Sequence, residues 1–182
     1  MRFHVTQRVY ILKGDNMINI TKKLKLRLLV DTDIPLMEVW LNKEHIKKWY
    51  DIPPVCTVDD WLSEIQNRND EFGFITHFIA LWEETPVGFC QYYKCTDAEE
   101  DWYGQAQLSG TYSIDYLIGE EDYLGKGIGK SIIALLVEKI FSLANSERII
   151  VQPDEKNGAS CNSLLSNGFV FDKKNNVYLI TK

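Results

Sequence analysis

Tyr123-Leu124-Gly125-Lys126-Gly127-Ile128-Gly129 sets three glycines at alternate positions between a strand-like stretch, Gly110 to Ile118, and a long apolar helix-like stretch. Glycine lacks the Cβ that would hold an anion away. Successive backbone N–H groups can therefore converge on an anion at a helix N-terminus, which carries about half a positive charge. A phosphorylated cofactor is the first expectation, although a plain glycine-rich turn before a helix has the same local pattern. Two named phosphate loops do not fit. A Walker A loop would require its first glycine at position 124, which is leucine, and a dinucleotide fingerprint requires Gly-x-Gly-x-x-Gly where this chain has Gly-x-Gly-x-Gly.

In the strand before the loop, alternation puts Tyr112, Ile114, Tyr116 and Ile118 on one face and Thr111, Ser113, Asp115 and Leu117 on the other. Aspartate is depleted in strands and costly to desolvate, so Asp115 stands out. A solvated face, or a bond to Ser113 or Thr111, would also account for it. After the loop, Ile128, Ile132, Ile133, Leu135, Leu136, Ile140 and Phe141 form the apolar body of a helix, which is core packing. Ile149-Ile150-Val151 is apolar on both faces, as a buried parallel strand should be.

Toward the N-terminus, Leu24-Lys25-Leu26-Arg27-Leu28 alternates and predicts a strand with one wet face. Asp33 is expected to cap a helix carrying Leu36, Met37, Val39, Trp40 and Leu41. A second short helix, Asn42 to Tyr50, ends before Pro53-Pro54. Thr57-x-x-Asp60 forms a variant capping box for a third. Two strands, Phe78 to Trp82 and Val87 to Tyr93, follow, joined by Glu83-Glu84-Thr85-Pro86. Cys95 to Ser109 reads as an irregular loop with the acids Asp97, Glu99, Glu100 and Asp101 next to Trp102-Tyr103. This is either a solvated hairpin loop or a wall for a polycationic ligand, with carboxylates as acceptors and an aromatic face to attract an ammonium.

The 182 residues, 45% of them apolar, predict one domain with a sizeable core. Residues 1–16 end in Gly14-Asp15-Asn16 and read as an extension, or as an extra edge strand carrying Phe3, Val5, Val9 and Ile11; residues 17–182 form the single domain. No run approaches the roughly 18 to 20 apolar residues of a spanning helix, and no secretory apolar region opens the chain, so a cytoplasmic protein with no membrane partner is expected. A net charge of −6 argues against nucleic acid and suits a cationic substrate. Cys56, Cys90, Cys95 and Cys161 have no Cys-x-x-Cys spacing and are expected to be buried, reduced thiols. His45 and His77 are isolated, so no metal is expected.

The ordered set of Thr111 to Gly129, a helix, the strand Arg148 to Gln152, then Asn157 and Gly168-Phe169 resembles the acetyl-CoA-binding half of the GNAT superfamily of N-acetyltransferases. Ser113-Ile114-Asp115-Tyr116-Leu117-Ile118 followed by Leu124-Gly125-Lys126-Gly127-Ile128-Gly129 is similar to the aminoglycoside 6′-N-acetyltransferases, and Trp49-Tyr50 after Lys47-Lys48 resembles their aromatic substrate-binding segment. The likeness runs from about Leu24 to the C-terminus. It implies an α/β GNAT fold: a mixed central sheet flanked by helices, with splayed parallel strands forming the acetyl-CoA cleft.

The resemblance further implies that acetyl-CoA is the co-substrate. Leu117, Ile118, Leu124, Gly125, Lys126, Gly127, Ile128, Gly129, Lys130 and Asn157 would meet it, and backbone N–H groups near Leu117 would polarise the thioester. It makes Asp115 the catalytic base. A carboxylate there could hold an ammonium of pKa about 10 and take its proton, directly or through one water. Trp49, Tyr50, Asp101, Trp102, Asp115 and Asp154 would bind a small cationic amine, and the protein would be a monomer or homodimer. The chain departs from the pattern at Gln152-Pro153, where Asp-Pro is usual and Asp154 is displaced, and at Leu164, where many members carry the tyrosine that protonates the departing thiolate. Tyr123, Tyr116 or a water could replace that acid. Two alternatives to an aminoglycoside-like acceptor stay open: a lysine or hydroxylamine metabolite of siderophore assembly, and a non-catalytic module that binds acyl-CoA.

Overall fold

A computed structural model describes residues 23–98, 100–104 and 106–182; the segment 1–16, read above as an extension or an extra edge strand, lies outside them. In chain order the elements are β1 (Leu24–Leu28), α1 (Ile34–Leu41), α2 (Glu44–Tyr50), α3 (Val58–Gln66), β2 (Thr76–Trp82), β3 (Thr85–Lys94), α4 (Cys95–Ala98), β4 (Thr111–Ile118), α5 (Ile128–Ser142), β5 (Arg148–Val151), α6 (Gly158–Leu165), β6 (Val170–Asp172) and β7 (Val177–Thr181). The strands form one sheet in the order β1-β2-β3-β4-β5-β7-β6. Every neighbouring pair is antiparallel except β4 and β5. A parallel pair needs a crossover, and α5 supplies it.

That parallel pairing is short. Only Thr111, Tyr112 and Ser113 face β5, opposite Arg148, Ile149 and Ile150. From Ile114 onward β4 stays on β3, with Leu117 against Phe89 and Ile118 against Gly88, and leaves β5 behind. The two strands splay, and one edge of β4 loses its ladder partner just where Asp115 sits.

Strand alternation divides the core. Tyr112 and Ile114 pack with Ile128, Ile132, Ile133, Leu136 and Ile140 of α5, as its apolar spacing predicts. On the opposite face Ile79, Leu81, Phe89 and Leu117 pack with Met37, Trp40 and Leu41 of α1, Ile46 of α2, and Val58 and Ile65 of α3. Trp40 is fully buried over the end of β4, and a Cβ on Gly119 would lie 2.1 Å from its ring. The indole N–H donates to Glu120 Oε1 at 2.7 Å, and Lys43 Nζ reaches Gly119 O and Glu120 Oε2, each at 2.8 Å. The start of the glycine loop is thereby tied to α1 and the turn after it.

Local signals hold with three corrections. Thr57 and Asp60 make the expected reciprocal box, Asp60 N–H to Thr57 Oγ1 at 3.2 Å and Thr57 N–H to Asp60 Oδ2 at 2.7 Å. Asp33, expected to cap α1, does not. Arg27 grips its carboxylate at 2.8 and 2.9 Å and Val30 N–H donates to it at 2.9 Å, so a charge-assisted fork outcompetes the cap and holds the carboxyl below its usual range. The β2–β3 connection is a two-residue turn, with Glu83 and Glu84 at φ 46° and 72°, and Thr85 and Pro86 belong to β3. The stretch after β3 is not a plain loop: Cys95 of α4 and Tyr103 of a short 3₁₀ turn are buried with Ile75, Tyr93, Ile150 and Val177. All four cysteines are free thiols, but only Cys90 and Cys95 are buried; Cys56 and Cys161, outside the sheet core, are partly exposed. No helix among the described residues is long and apolar enough to cross a membrane.

Candidate active site

A cleft of about 790 Å³ opens where β4 leaves β5, and its walls come from α2, α3, the segment after β3, and α6. One half is acidic and aromatic. Asp115 lies on its floor, Glu64 and Asp60 enter from α3, Glu100 from the segment after β3, and Trp49, Tyr50, Trp61 and Trp102 complete the wall. The other half runs along Ile118, Leu124, Gly129, Asn157 and Ser160 toward the glycine loop.

Asp115 is half-buried, and Gln91 Nε2 donates to its Oδ2 at 3.1 Å. Desolvation pushes its carboxyl up to about 7, the Glu64 and Glu100 charges add to the rise, and the Gln91 bond opposes it. A base with a pKa near the working pH is best matched to proton transfer. Two donors meet on one oxygen of Glu100: Trp102 Nε1 at 2.6 Å and Tyr93 Oη at 2.9 Å. That carboxylate is held in place at the cleft before any ligand arrives. Cys56 also lines this half, but burial lifts its thiol to about 11, which keeps it a neutral neighbour and not a nucleophile.

The free edge of β4 is organised by α2. Tyr50 Oη donates to Tyr116 O at 2.6 Å, and His45 Nε2 meets Ile118 O at 2.9 Å. Because Gly119 N–H bonds Val87 O of the β3 side, alternation turns the backbone groups of Leu117 toward β3 and those of Tyr116 and Ile118 toward the cleft. Near Leu117, the amides that face the cleft are those of its neighbours Tyr116 and Ile118. Tyr50 is accordingly a strut as well as a wall, its hydroxyl spent on the strand and its ring edge-on to Trp61 at 5.0 Å. Tyr116 projects the other way, its ring toward Gly129 and its hydroxyl 2.7 Å from Ser160 Oγ, with burial raising it to about 12.

At the loop, Gly125 and Gly127 have φ of 69° and 80°, a left-handed backbone that favours glycine, and a Cβ on Gly125 would meet nothing within 4 Å. Gly127 is the N-cap of α5 and offers no side-chain cap, so the first N–H groups of this 15-residue helix are left for a ligand. An open, uncapped N-terminus at one end of a long cleft fits a phosphorylated group.

Of the residues expected from the sequence, Trp49, Tyr50, Trp102, Asp115, Leu117, Ile118, Leu124, Gly129, Asp154 and Asn157 line one cleft. Gly125, Lys126 and Gly127 are exposed beyond its lining. Ile128 turns its side chain into the core, so only its backbone N–H can face a ligand, and Lys130, half-buried, accepts a bond from Asn167 Nδ2 on its carbonyl. Asn157 Oδ1 caps α6 by accepting from Ser160 N–H at 3.1 Å. Asp154 is exposed and accepts from Lys156 N–H at 2.7 Å. Asp101 is exposed and does not line the cleft; the short turn that buries Tyr103 presents Glu100 instead. Leu164 is fully buried in the core, so that position offers nothing to the site. Sequence reasoning passed over Gln91, Glu64 and Ser160. Gln91 alone left a signal, as a polar residue within the apolar run Phe89 to Tyr93.

Residues 30–177 match the acetyltransferase (GNAT) domain family. The chain is 26% identical over 159 residues to the aminoglycoside N(6′)-acetyltransferases type 1 of Serratia marcescens and Klebsiella pneumoniae, covering 85% of this chain and 77% of each relative. Among solved structures it is similar to aminoglycoside acetyltransferase AAC(6′)-Ib in complex with coenzyme A, at a TM-score of 0.73 and 25% identity over 87% of this chain and 95% of the other. The same enzyme with coenzyme A and kanamycin matches equally well, with a TM-score of 0.73 and 25% identity.

Proposed function

This chain belongs to the acetyltransferase (GNAT) domain family, and from that premise we propose that it acetylates a primary amine of an aminoglycoside-like cationic substrate from acetyl-CoA, by direct attack in a ternary complex. The observation that carries the reading is one cleft joining the carboxylates Asp115, Glu64 and Glu100 to the uncapped start of α5. Acetyl-CoA supplies a thioester whose acetyl carbon is open to an amine. The free N–H groups at the start of α5 and the left-handed glycines before it would hold its pyrophosphate, and the cleft-facing amides of Tyr116 and Ile118 would orient its carbonyl.

On the acceptor side, Glu100 and Glu64 attract the cation, while Trp49 and Trp102 provide faces for a sugar ring or an ammonium. Asp115 holds the ammonium at its open oxygen and accepts the proton, leaving a lone pair on nitrogen. Tyr116 Oη holds a proton between β4 and α6. With Leu164 buried, it is the tyrosine hydroxyl that lines this side of the cleft, where the departing sulfur would need a proton.

Turnover with acetyl-CoA and a panel of kanamycin, lysine, N-hydroxylysine and polyamines tests the proposal. Acetylation of kanamycin at one amine supports it. Acetylation confined to lysine or a hydroxylamine moves the acceptor to the metabolite class, and tight coenzyme A binding without turnover of any amine makes the chain a binding module.

A further inference from the structure

Gln91 is 1% exposed, lines the cleft, and leaves its Oε1 without a hydrogen-bond partner among the described residues. A buried carbonyl oxygen without a donor is destabilising, and native folds rarely leave one without cause. With Asp115 ionised, as it must be to take a proton, Gln91 Nε2 is the end that faces the carboxylate, donating at 3.1 Å, and Oε1 is the end left over. Neighbouring donors are committed elsewhere. Tyr50 Oη is on Tyr116 O, Tyr93 Oη on Glu100, and His77 Nε2 lies 3.3 Å from Glu64 Oε1.

Register brings the two acceptors together. Gln91 of β3 sits directly opposite Asp115 of β4, and side chains opposite one another on one sheet face are within about 5.5 Å at Cβ. Asp115 Oδ2 is occupied by the amide, so Oδ1 is the carboxylate oxygen that remains for a ligand. We propose that Gln91 Oε1 and Asp115 Oδ1 form a two-oxygen fork that recognises a primary ammonium, Asp115 taking the N–H whose proton leaves and Gln91 taking an N–H that stays on nitrogen. The inference rests on the reading of the acceptor as a primary amine and adds the residue that selects it. An ammonium with a single N–H can satisfy only one arm of the fork, and a quaternary ammonium satisfies neither.

The test uses the wild-type protein and simple probes. Its ¹⁵N–¹H side-chain amide resonances, with Gln91 identified by their loss in Gln91→Met, are followed while n-butylammonium or tetramethylammonium is added. A saturable shift of the Gln91 resonance with n-butylammonium, absent with tetramethylammonium at equal concentration, is expected. No shift, or equal shifts with both cations, overturns the fork. In turnover with kanamycin, Gln91→Met is expected to raise the acceptor KM about tenfold or more while leaving the acetyl-CoA KM unchanged, the scale of a lost bond to a charged group. Unchanged kinetics in that variant overturns the fork and leaves the aminoglycoside reading standing. A wild type that does not turn over kanamycin but shows the selective n-butylammonium shift removes the aminoglycoside reading and supports the fork.

Discussion

Asp115→Asn should make the protein more stable and nearly inactive at once. Asparagine keeps the shape of the side chain and an oxygen for Gln91 Nε2, but cannot take a proton. Folding raises the Asp115 carboxyl from its ordinary 3.8 to about 7, chiefly by desolvation. For an acid raised in the folded state, the native protein binds more protons than the unfolded chain between those values. Stability is therefore lost as pH climbs from about 4 to about 7, and the full penalty persists above that. Its ceiling is about 4 kcal/mol, taking about 1.36 kcal/mol per tenfold change in proton affinity. Because Asp115 is half-buried and water in the cleft relaxes around it, about half of that is the working figure: about 2 kcal/mol, or roughly 4–8 °C in Tm for a domain of this size. Thermal unfolding at pH 4 and pH 8 reads it. The variant should exceed wild type at pH 8 and match it at pH 4. Activity should move oppositely, with kcat falling about 10²-fold or more. The wild-type rate should rise through about pH 7 and level, whereas the variant should keep climbing with pH as free amine enters already deprotonated. Full activity in Asp115→Asn refutes the base assignment. Equal Tm at pH 8 refutes the desolvation that the reasoning requires.

Three further outcomes follow from the site. Gly127→Asp, at φ 80° and the start of α5, should abolish acetyl-CoA binding in calorimetry with the circular dichroism unchanged, because a carboxylate would occupy the anion position; unchanged affinity would remove the cradle. Glu100→Gln and Trp102→Ala should each raise the KM for a cationic acceptor several-fold and leave that for acetyl-CoA constant, while Asp101→Asn changes neither; an effect confined to Asp101 would reverse the assignment of the wall. Tyr116→Phe should lower kcat on the order of 10²-fold and, by removing the bond to Ser160, weaken coenzyme A binding measurably less; equal activity would leave water as the proton source.

Most of the fold could be read from periodicity, because burial selects the same residues whatever the details. Alternation marked β1 and both faces of β4, the 3.6-residue apolar spacing marked α5, and Thr57-x-x-Asp60 marked the start of α3. The misses have a shared cause. Asp33 satisfied every local rule for a cap, but Arg27, six residues earlier and across a turn, offered a stronger partner. Asp101 and Glu100 are adjacent acids in a charge run, and nothing in such a run says which one faces inward. That is fixed by Tyr103 docking beside Cys95, Tyr93 and Ile150, contacts that only the sheet brings together. The splay of β4 from β5 was expected only through the family resemblance, since by pattern alone Ile114, Leu117 and Ile118 would suit a continued ladder as well as a free edge.

The free edge also explains why base and hydroxyl can be consecutive residues. Side chains alternate across a strand, so Asp115 faces the side of α1–α3 and Tyr116 faces the side of α5 and α6. Their connecting peptide carries its N–H toward the gap that β5 has vacated. On the proposed reading, an acetyl group held at that amide has the amine and Asp115 on one side of the sheet plane and the sulfur and Tyr116 on the other. Proton acceptance and proton donation are then kept apart by the thickness of a single strand. A β4 that remained paired to β5 through Ile118 would bond those amides to its neighbour and close the gap. Tyr50 and His45 serve this geometry by binding the carbonyls of Tyr116 and Ile118, so the edge stays open without leaving those two acceptors unpaired. Removing the Tyr50 hydroxyl alone, in Tyr50→Phe, should therefore lower turnover with every acceptor by a similar factor. A loss confined to one acceptor would make Tyr50 a contact for that substrate, not a support for the strand.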